Sequence, residues 1–440
     1  MLLALAGHPA IAQVLFGSMV GNVTDPTGAA VPAATVKITE MNTNVSRTVQ
    51  TNEAGAYTVS TVPAGTYQVE ITKEGFRGFV TSNIVVNQNN VVRVDAQLQV
   101  GAVAENVEVT AEAAALQTDR ADVHAEVSTY ALQQLPQPNR TYTGLLTLVP
   151  GVTPPGGQLN GGTNNPSKSM QFSANGTGVA GATVRIEGIN AQNPWVVQYQ
   201  SFVPSVEAIE NVNVVTNSPD AEQGQAGGAS VNVILKSGSN ETHGAVYWYH
   251  INSATTAVNF FAPPGSKPAH QVDNNAGGSM GGHIIRNKLF YFGSYEGDFL
   301  HQANSAIIGV PTPQMLAGDM SGSGTPIYDP NTGNPDGSGK TPYPNNIIPP
   351  NQLNPIIGKL TPLIPKPNLP GIVNNYFVNQ GTIYNLHKID TKVDYQANSK
   401  LRISGRYGKQ PYYNLQQPLF GQILGGNSGG WPSLSFSGAG

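Results

Sequence analysis

From residue 18 to 98 the chain alternates apolar and polar residues in short runs, interrupted by turn chemistry such as Asp25-Pro26-Thr27-Gly28 and Pro63-Ala64-Gly65. A period of two is the mark of a strand with one buried face. Thr35-Val36-Lys37-Ile38 is therefore predicted to bury Val36 and Ile38, Tyr57-Thr58-Val59 to bury Tyr57 and Val59, and residues 67–71 to bury Tyr67, Val69 and Ile71. Val92, Val94, Ala96 and Leu98 complete the set. About seven short strands at this spacing predict a two-sheet sandwich of the immunoglobulin-like or transthyretin-like kind.

The pattern changes twice further on. Between 116 and 240 it is mixed: Leu132 and Leu135-Pro136, then Asn139-Arg140-Thr141-Tyr142 through Leu148-Val149-Pro150-Gly151, predict short helices stopped by Pro and Gly. Val184-Arg185-Ile186-Glu187-Gly188-Ile189-Asn190 reads as a strand and turn, and Gly224 to Gly238 as a glycine-rich approach followed by a strand. From Thr242 the period of two returns with large aromatics on one face and charges on the other, as in a barrel with lipid outside and water inside. Lys388, Asp390, Lys392 and Asp394 share one face and Ile389, Thr391, Val393 and Tyr395 the other. Beyond a turn at 396–399, Leu401, Ile403 and Tyr407 point outward while Arg402, Ser404 and Arg406 point inward. Further strands are predicted at 244–251, 275–285 and 288–296. A soluble antiparallel sheet with one wet face fits the same periodicity. The Pro/Gly/Asn-rich stretch near 301–382 is too long for a turn inside a compact domain, and is expected to be an extracellular surface loop or disordered.

Composition narrows the function. Charged residues make up 11% of the 440, Gly (50) and Pro (33) are abundant, and the net charge is -4, so the basic footprint of nucleic-acid binding is missing and nucleic acid is not a partner. Cysteine is absent, which removes disulfides, thiolate catalysis and thiolate metal sites. Residues 1–12 are apolar and end in Ala10-Ile11-Ala12, the small-x-small pattern of a signal-peptide remnant, so export is expected. No zinc-ligand spacing occurs, and no metal or cofactor is expected. Gly176-Thr177-Gly178-Val179-Ala180-Gly181 fits a phosphate-loop pattern but runs into a strand, not a helix. Ser279 and Ser428 sit in glycine-rich runs without a nucleophile elbow. No catalytic residue is assigned.

Specific motifs then suggest families. Gly21-x-Val23-x-Asp25-x-x-Gly28-x-x-Val31-Pro32-x-Ala34-x-Val36, Thr51-x-x-x-Gly55-x-Tyr57, Pro63-x-Gly65-x-Tyr67-x-Val69 and Gly75-Phe76 resemble the carboxypeptidase-regulatory-like domain over 18–99. Within a linker at 100–115, Glu105-Asn106-Val107-Glu108-Val109-Thr110-Ala111 resembles a TonB box, although Val107 and Val109 would equally extend the sandwich's last strand. Arg185-Ile186-Glu187-Gly188 and the run containing Gly224, Gly227, Gly228 and Lys236 resemble plug motifs, giving a plug at 116–240. Thr216-Asn217-Ser218-Pro219 departs from the plug family's usual Arg-Gly-Pro turn.

The order of segments resembles the Oar-like TonB-dependent outer-membrane receptors. That resemblance implies a mainly β chain: an N-terminal sandwich, an α+β plug, and at 241–440 the first strands of an incomplete antiparallel transmembrane barrel. It further implies outer-membrane lipid, a TonB-type energy-coupling partner of the inner membrane and an unknown extracellular substrate, with Trp195, Tyr199 and Phe202 as candidates for an apical aromatic surface, although core packing explains these three equally well. A surface adhesin built from β-sandwiches is the alternative.

Overall fold

The computed structural model describes residues 16–88, 90–101, 106–110, 123–135, 140–153, 169–170, 172–178, 181–196, 199–217, 227–258, 268, 270–399 and 401–420. The signal-peptide remnant at 1–12 lies outside them.

The first nine strands are β1 (Phe16–Thr24), β2 (Thr35–Glu40), β3 (Ser46–Gln50), β4 (Ala56–Pro63), β5 (Gly65–Thr72), β6 (Gly78–Val86), β7 (Val91–Arg93), β8 (Ala96–Gln97) and β9 (Asn106–Thr110). They form two sheets, β4-β1-β7 with β8 also on β1, and β3-β2-β5-β6-β9. Every apolar position the alternation assigns to the inside is buried, from Val36 and Ile38 to Ala96 and Leu98. Within the first sheet the Tyr57 hydroxyl reaches across β1 and donates to Val94 O at 2.8 Å. Gly21 is required here, since a Cβ would collide with the same Val94 carbonyl. The turn before Val31 is built by Asp25, whose Oδ1 accepts from Thr27 N, Ala29 N and the Thr27 hydroxyl.

The second unit contains β10 (Val123–Ser128), α1 (Thr129–Gln134), α2 (Tyr142–Leu145), β11 (Val152–Thr153), β12 (Ser173–Ala174), β13 (Ala182–Ile186), β14 (Ile189–Asn190), β15 (Ile209–Asn217) and β16 (Ala229–Leu235). Its main sheet runs β10-β15-β16-β13-β14. All seven residues of β16 are buried, so this strand is covered on both faces. Leu132, Tyr142, Leu146, Phe172, Val184 and Ile209 belong to the core around it.

The third unit is a single antiparallel sheet of β17 (His243–Asn252), β18 (Gln271–Ile285), β19 (Leu289–Ile308), β20 (Tyr376–Asn398), β21 (Leu401–Lys409) and β22 (Tyr412–Gln416), in the order β17-β18-β19-β20-β21 with β22 also on β20. Its faces follow the alternation. Lys388, Asp390, Lys392 and Asp394 are buried, while Ile389, Val393, Tyr395, Leu401, Ile403 and Tyr407 are exposed. One expectation needs correction: the long loop does not begin near 301, because β19 and β20 stay paired out to Ile308 opposite Tyr376. The connection is 309–375, and it is ordered by its own turns, including α3 (Pro313–Leu316) and α4 (Pro355–Leu360). Asp329, in a stretch faintly like a calcium loop, accepts from Asn331 N at 2.9 Å, which is turn chemistry.

Candidate functional site

The three units meet at the inward face of the barrel sheet. Glu187 and Gly188, both at positive φ (52° and 75°), turn β13 back into β14 and aim the Glu187 carboxylate at the wall. Glu187 Oε1 accepts from Leu235 N at 2.7 Å, and Oε2 lies 2.9 Å from Nζ of Lys392 on β20. Lys392 also donates to Leu235 O at 3.3 Å. One plug strand end and one wall strand are thus joined through a carboxylate, an ammonium and a peptide group.

A second junction centres on Arg140. Its guanidinium pairs with Glu207 at 3.0 Å and lies 3.8 Å from the ring centroid of Tyr249 and 5.1 Å from that of Tyr247, both on β17. Gln133 Nε2 donates to the other Glu207 oxygen at 2.8 Å. The Tyr247 hydroxyl passes the chain on to Glu296 at 2.9 Å, and Glu296 pairs with Lys388 at 2.8 Å with both side chains essentially excluded from solvent (0% and 1% exposed). A third junction joins Val203 N to Gln410 Oε1 at 2.7 Å and sets Arg406, held by both Asp390 oxygens at 3.0 and 2.8 Å, against the Phe202 ring at 4.8 Å.

Buried ion pairs add little net stability over apolar packing, yet losing one partner is costly, so they favour a defined seat more than tight adhesion.

Of the expected site residues, Ile186 is core, Arg185 lies on β13 opposite Asn190 and Asn232, and Lys236 donates its backbone N–H to Ala208 O at 2.8 Å. Gly228 is closely packed, since a Cβ would stand 2.8 Å from Ala174 O and meet Thr177 Oγ1, whereas Gly227 has open space. Asn106, Val107, Glu108, Val109 and Thr110 form β9, paired in parallel with β6. Glu105, Ala111 and Gly224 lie outside the described residues. Trp195 is exposed at 92%, Tyr199 is partly exposed, and Phe202 belongs to the core at 7%. The apical aromatic set therefore loses Phe202. Arg140, Glu207, Tyr247 and Glu296 carry much of the contact but were not singled out by sequence. For Tyr247 and Glu296 the signal was a polar group on the inward face of an alternating strand, whereas Arg140 and Glu207 lie outside strands and carried no such signal.

Below the Glu187–Lys392 pair lies a cavity of about 490 Å³, bounded by Glu40, Arg47 and Tyr67 of the sandwich and by Arg402 of the wall. The sandwich reaches its neighbours through asparagines: Asn240 N donates to Asn42 O at 2.9 Å, Asn44 Nδ2 to Asn287 Oδ1 at 3.3 Å, and Asn87 Nδ2 to Glu126 Oε2 at 2.6 Å. Among the described residues no group of three or more His, Asp or Glu is placed to hold a metal ion, and no helix is long and apolar enough to cross a membrane.

Family matches cover the first and third of these units. Residues 18–99 match the carboxypeptidase regulatory-like domain, and residues 234–437 match the outer membrane beta barrel domain. The chain is 26% identical over 320 residues to the TonB-dependent transporter Oar of Myxococcus xanthus, an alignment covering 67% of this chain and 28% of that protein's length. Among solved structures, a variant of the ferric enterobactin receptor from Pseudomonas aeruginosa in complex with enterobactin is 12% identical with a TM-score of 0.36, covering 68% of this chain and 34% of that one. A putative carbohydrate binding protein from Bacteroides uniformis is 24% identical with a TM-score of 0.17, covering 19% and 40% of the two chains.

Proposed function

We propose that this outer-membrane β-barrel protein, which carries a carboxypeptidase regulatory-like domain and is a relative of a TonB-dependent transporter, is a receptor that binds an extracellular substrate and imports it into the periplasm. The observation that carries the reading is the seat of the Ala182–Ile186 and Ala229–Leu235 sheet against the inward face of the barrel strands, made through the Glu187–Lys392 and Arg140–Glu207 contacts. A structural adhesin needs no buried, exchangeable charge pairs between a strand wall and an inserted sheet.

In this reading the outward face, with Val246, Trp248, Ile389, Val393, Ile403 and Tyr407, contacts lipid, and the sandwich stands in the periplasm. No nucleotide supplies energy there, so work arrives mechanically: a TonB-type protein of the inner membrane grips 105–111 by adding a strand to it, with main-chain bonds for hold and alternate side chains for choice. Arg185, Ile186, Glu187, Gly188, Gly224, Gly227, Gly228 and Lys236 belong to the plug that the pull rearranges. The protein performs no covalent chemistry and uses no cofactor.

The test is removal of 107–110 from the protein in its own outer membrane. Comparing which solutes cells deplete from the medium, by mass spectrometry, should show a class taken up by the unaltered strain and left behind by the deletion strain, with equal amounts of heat-modifiable barrel in both. Identical depletion profiles would reject import.

A further inference from the structure

We propose that the regulatory-like sandwich is a clasp for the coupling strand: Asn106–Thr110 is stored as the edge strand of that domain and must be exchanged from β6 onto the partner's sheet before tension reaches the plug. This rests on the transport reading above and specifies how its energy step is held in check.

β9 runs parallel to β6 in unbroken register, Gly78 opposite Asn106, Phe79 opposite Val107, Val80 opposite Glu108, Thr81 opposite Val109 and Ser82 opposite Thr110. A partner that grips by strand addition needs the main-chain groups along one edge of this segment, and β6 already holds the segment on the other. The run is short and its parallel pairing slightly weaker per residue than antiparallel pairing, so it is among the first parts of the sheet to open. Once it leaves, β6 still pairs with β5 and presents an open edge, a template on which the strand can pair again. The clasp therefore resets itself.

The sandwich is itself held beneath the plug. Its hydrogen bonds to the other units include the Asn42 main-chain carbonyl and the Asn44 and Asn87 side chains, and its Glu40, Arg47 and Tyr67 close the cavity below Glu187 and Lys392. A pull on β9 thus loads the domain that floors this cavity before it stretches the link to β10. Release of the strand and opening of the floor are one mechanical event.

The absence of cysteine makes a direct test possible. Thr81→Cys with Val109→Cys introduces one pair at directly opposed positions of adjacent strands, a spacing that a disulfide spans. The measurements are disulfide closure by mass spectrometry, exchange of the 106–110 amides, and solute uptake by cells. In the unsubstituted chain the 106–110 amides should be protected. Cells carrying the oxidised double variant should lose uptake of the solute class that the 107–110 deletion leaves in the medium, regain it on reduction, and differ from both single variants, which take it up normally. Undiminished uptake with the fully oxidised protein overturns the clasp, as do amides that exchange like unfolded chain. If cells with the unsubstituted protein take up no such class while its 106–110 amides are protected, the transport reading is what fails, and the clasp falls with it.

Discussion

Glu187 and Lys392 meet at 2.9 Å across the boundary between the second unit and the antiparallel sheet of the third, and both also bond the main chain of Leu235. Lys392 is 5% exposed at its side chain, so removing one partner strands a charge in a poorly hydrated place. Glu187→Ala or Lys392→Ala alone is expected to cost about 3–5 kcal/mol, the usual penalty for breaking a buried pair. Removing both should cost less than the sum of the two. A double-mutant cycle on urea unfolding in detergent checks this, and additive costs would deny the coupling.

Gly228 and Gly227 are neighbours with opposite tolerance. A Cβ at Gly228 presses on the Ala174 carbonyl at 2.8 Å, which is backbone and cannot turn aside, while at Gly227 the nearest atom is 3.7 Å away. Gly228→Ala should destabilise by about 1–3 kcal/mol, the range for overpacking. Gly227→Ala should be close to neutral. Thermal unfolding of the two variants side by side decides it, and equal effects would show that the Gly228 contact is not what limits the site.

The outward face makes a depth-dependent prediction. Val393 is exposed on β20, while Lys392 beside it faces the plug. Val393→Arg should cost about 2–4 kcal/mol if this position lies near the bilayer midplane. The consequence is a smaller fraction of heat-modifiable, membrane-inserted protein. Normal assembly of this variant would place Val393 away from hydrocarbon.

Much of this was legible because a period of two survives folding unchanged. Which residues of β2, β5 and β20 face inward follows from the pleat alone, and so the sandwich core and the wall's two faces could be read directly. The partners of those inward charges could not. Glu187 reaches Lys392 and Arg140 reaches Tyr249 through the packing of the second unit on the third, and nothing local to either segment encodes it. The far ends of β19 and β20 were missed because Ala303 to Ile308 mix polar and apolar residues on both faces, as suits strands that have left the bilayer. For Asn106–Thr110 the difficulty is different: a β-branched, extended run looks the same whether it waits unpaired or lies along another strand.

Asp25 links pH to the stability of the sandwich. The Thr27 hydroxyl first, and then the backbone N–H groups of Ala29 and Thr27, hold its carboxylate and push its pKa below the ordinary Asp value. A depressed folded pKa means the contribution is fully present above the unfolded value and is lost as pH falls through the folded one. The protection of the Thr27 and Ala29 amides, measured as exchange relative to the intrinsic rate at the same pH, should therefore fall as the pH drops below the normal Asp range. Asp25→Ala should show the lower protection at every pH, with the acid-dependent step gone; a step that persists would assign the titration elsewhere.

Trp195 and Phe202 stand seven residues apart in sequence but are expected to respond oppositely to truncation. The Trp195 ring is 92% exposed, on a turn pinned where Asn193 Oδ1 accepts from Trp195 N at 2.8 Å and Val196 N at 3.1 Å. Gln192 Nε2 ties the base of this turn to Ala182 O, at the end of β13 opposite Glu187. A rigid exposed indole offers a stacking surface with little ordering cost on binding. Trp195→Ala should leave unfolding within about 0.5 kcal/mol of the unaltered protein, as for other exposed positions. It should weaken retention of whichever solute class the box deletion leaves in the medium. Phe202→Ala should cost about 3–5 kcal/mol, because it empties a core site against which Arg406 is stacked. Calorimetric unfolding paired with solute retention separates the two, and a Trp195→Ala protein that unfolds early but binds normally would return this residue to a purely structural role.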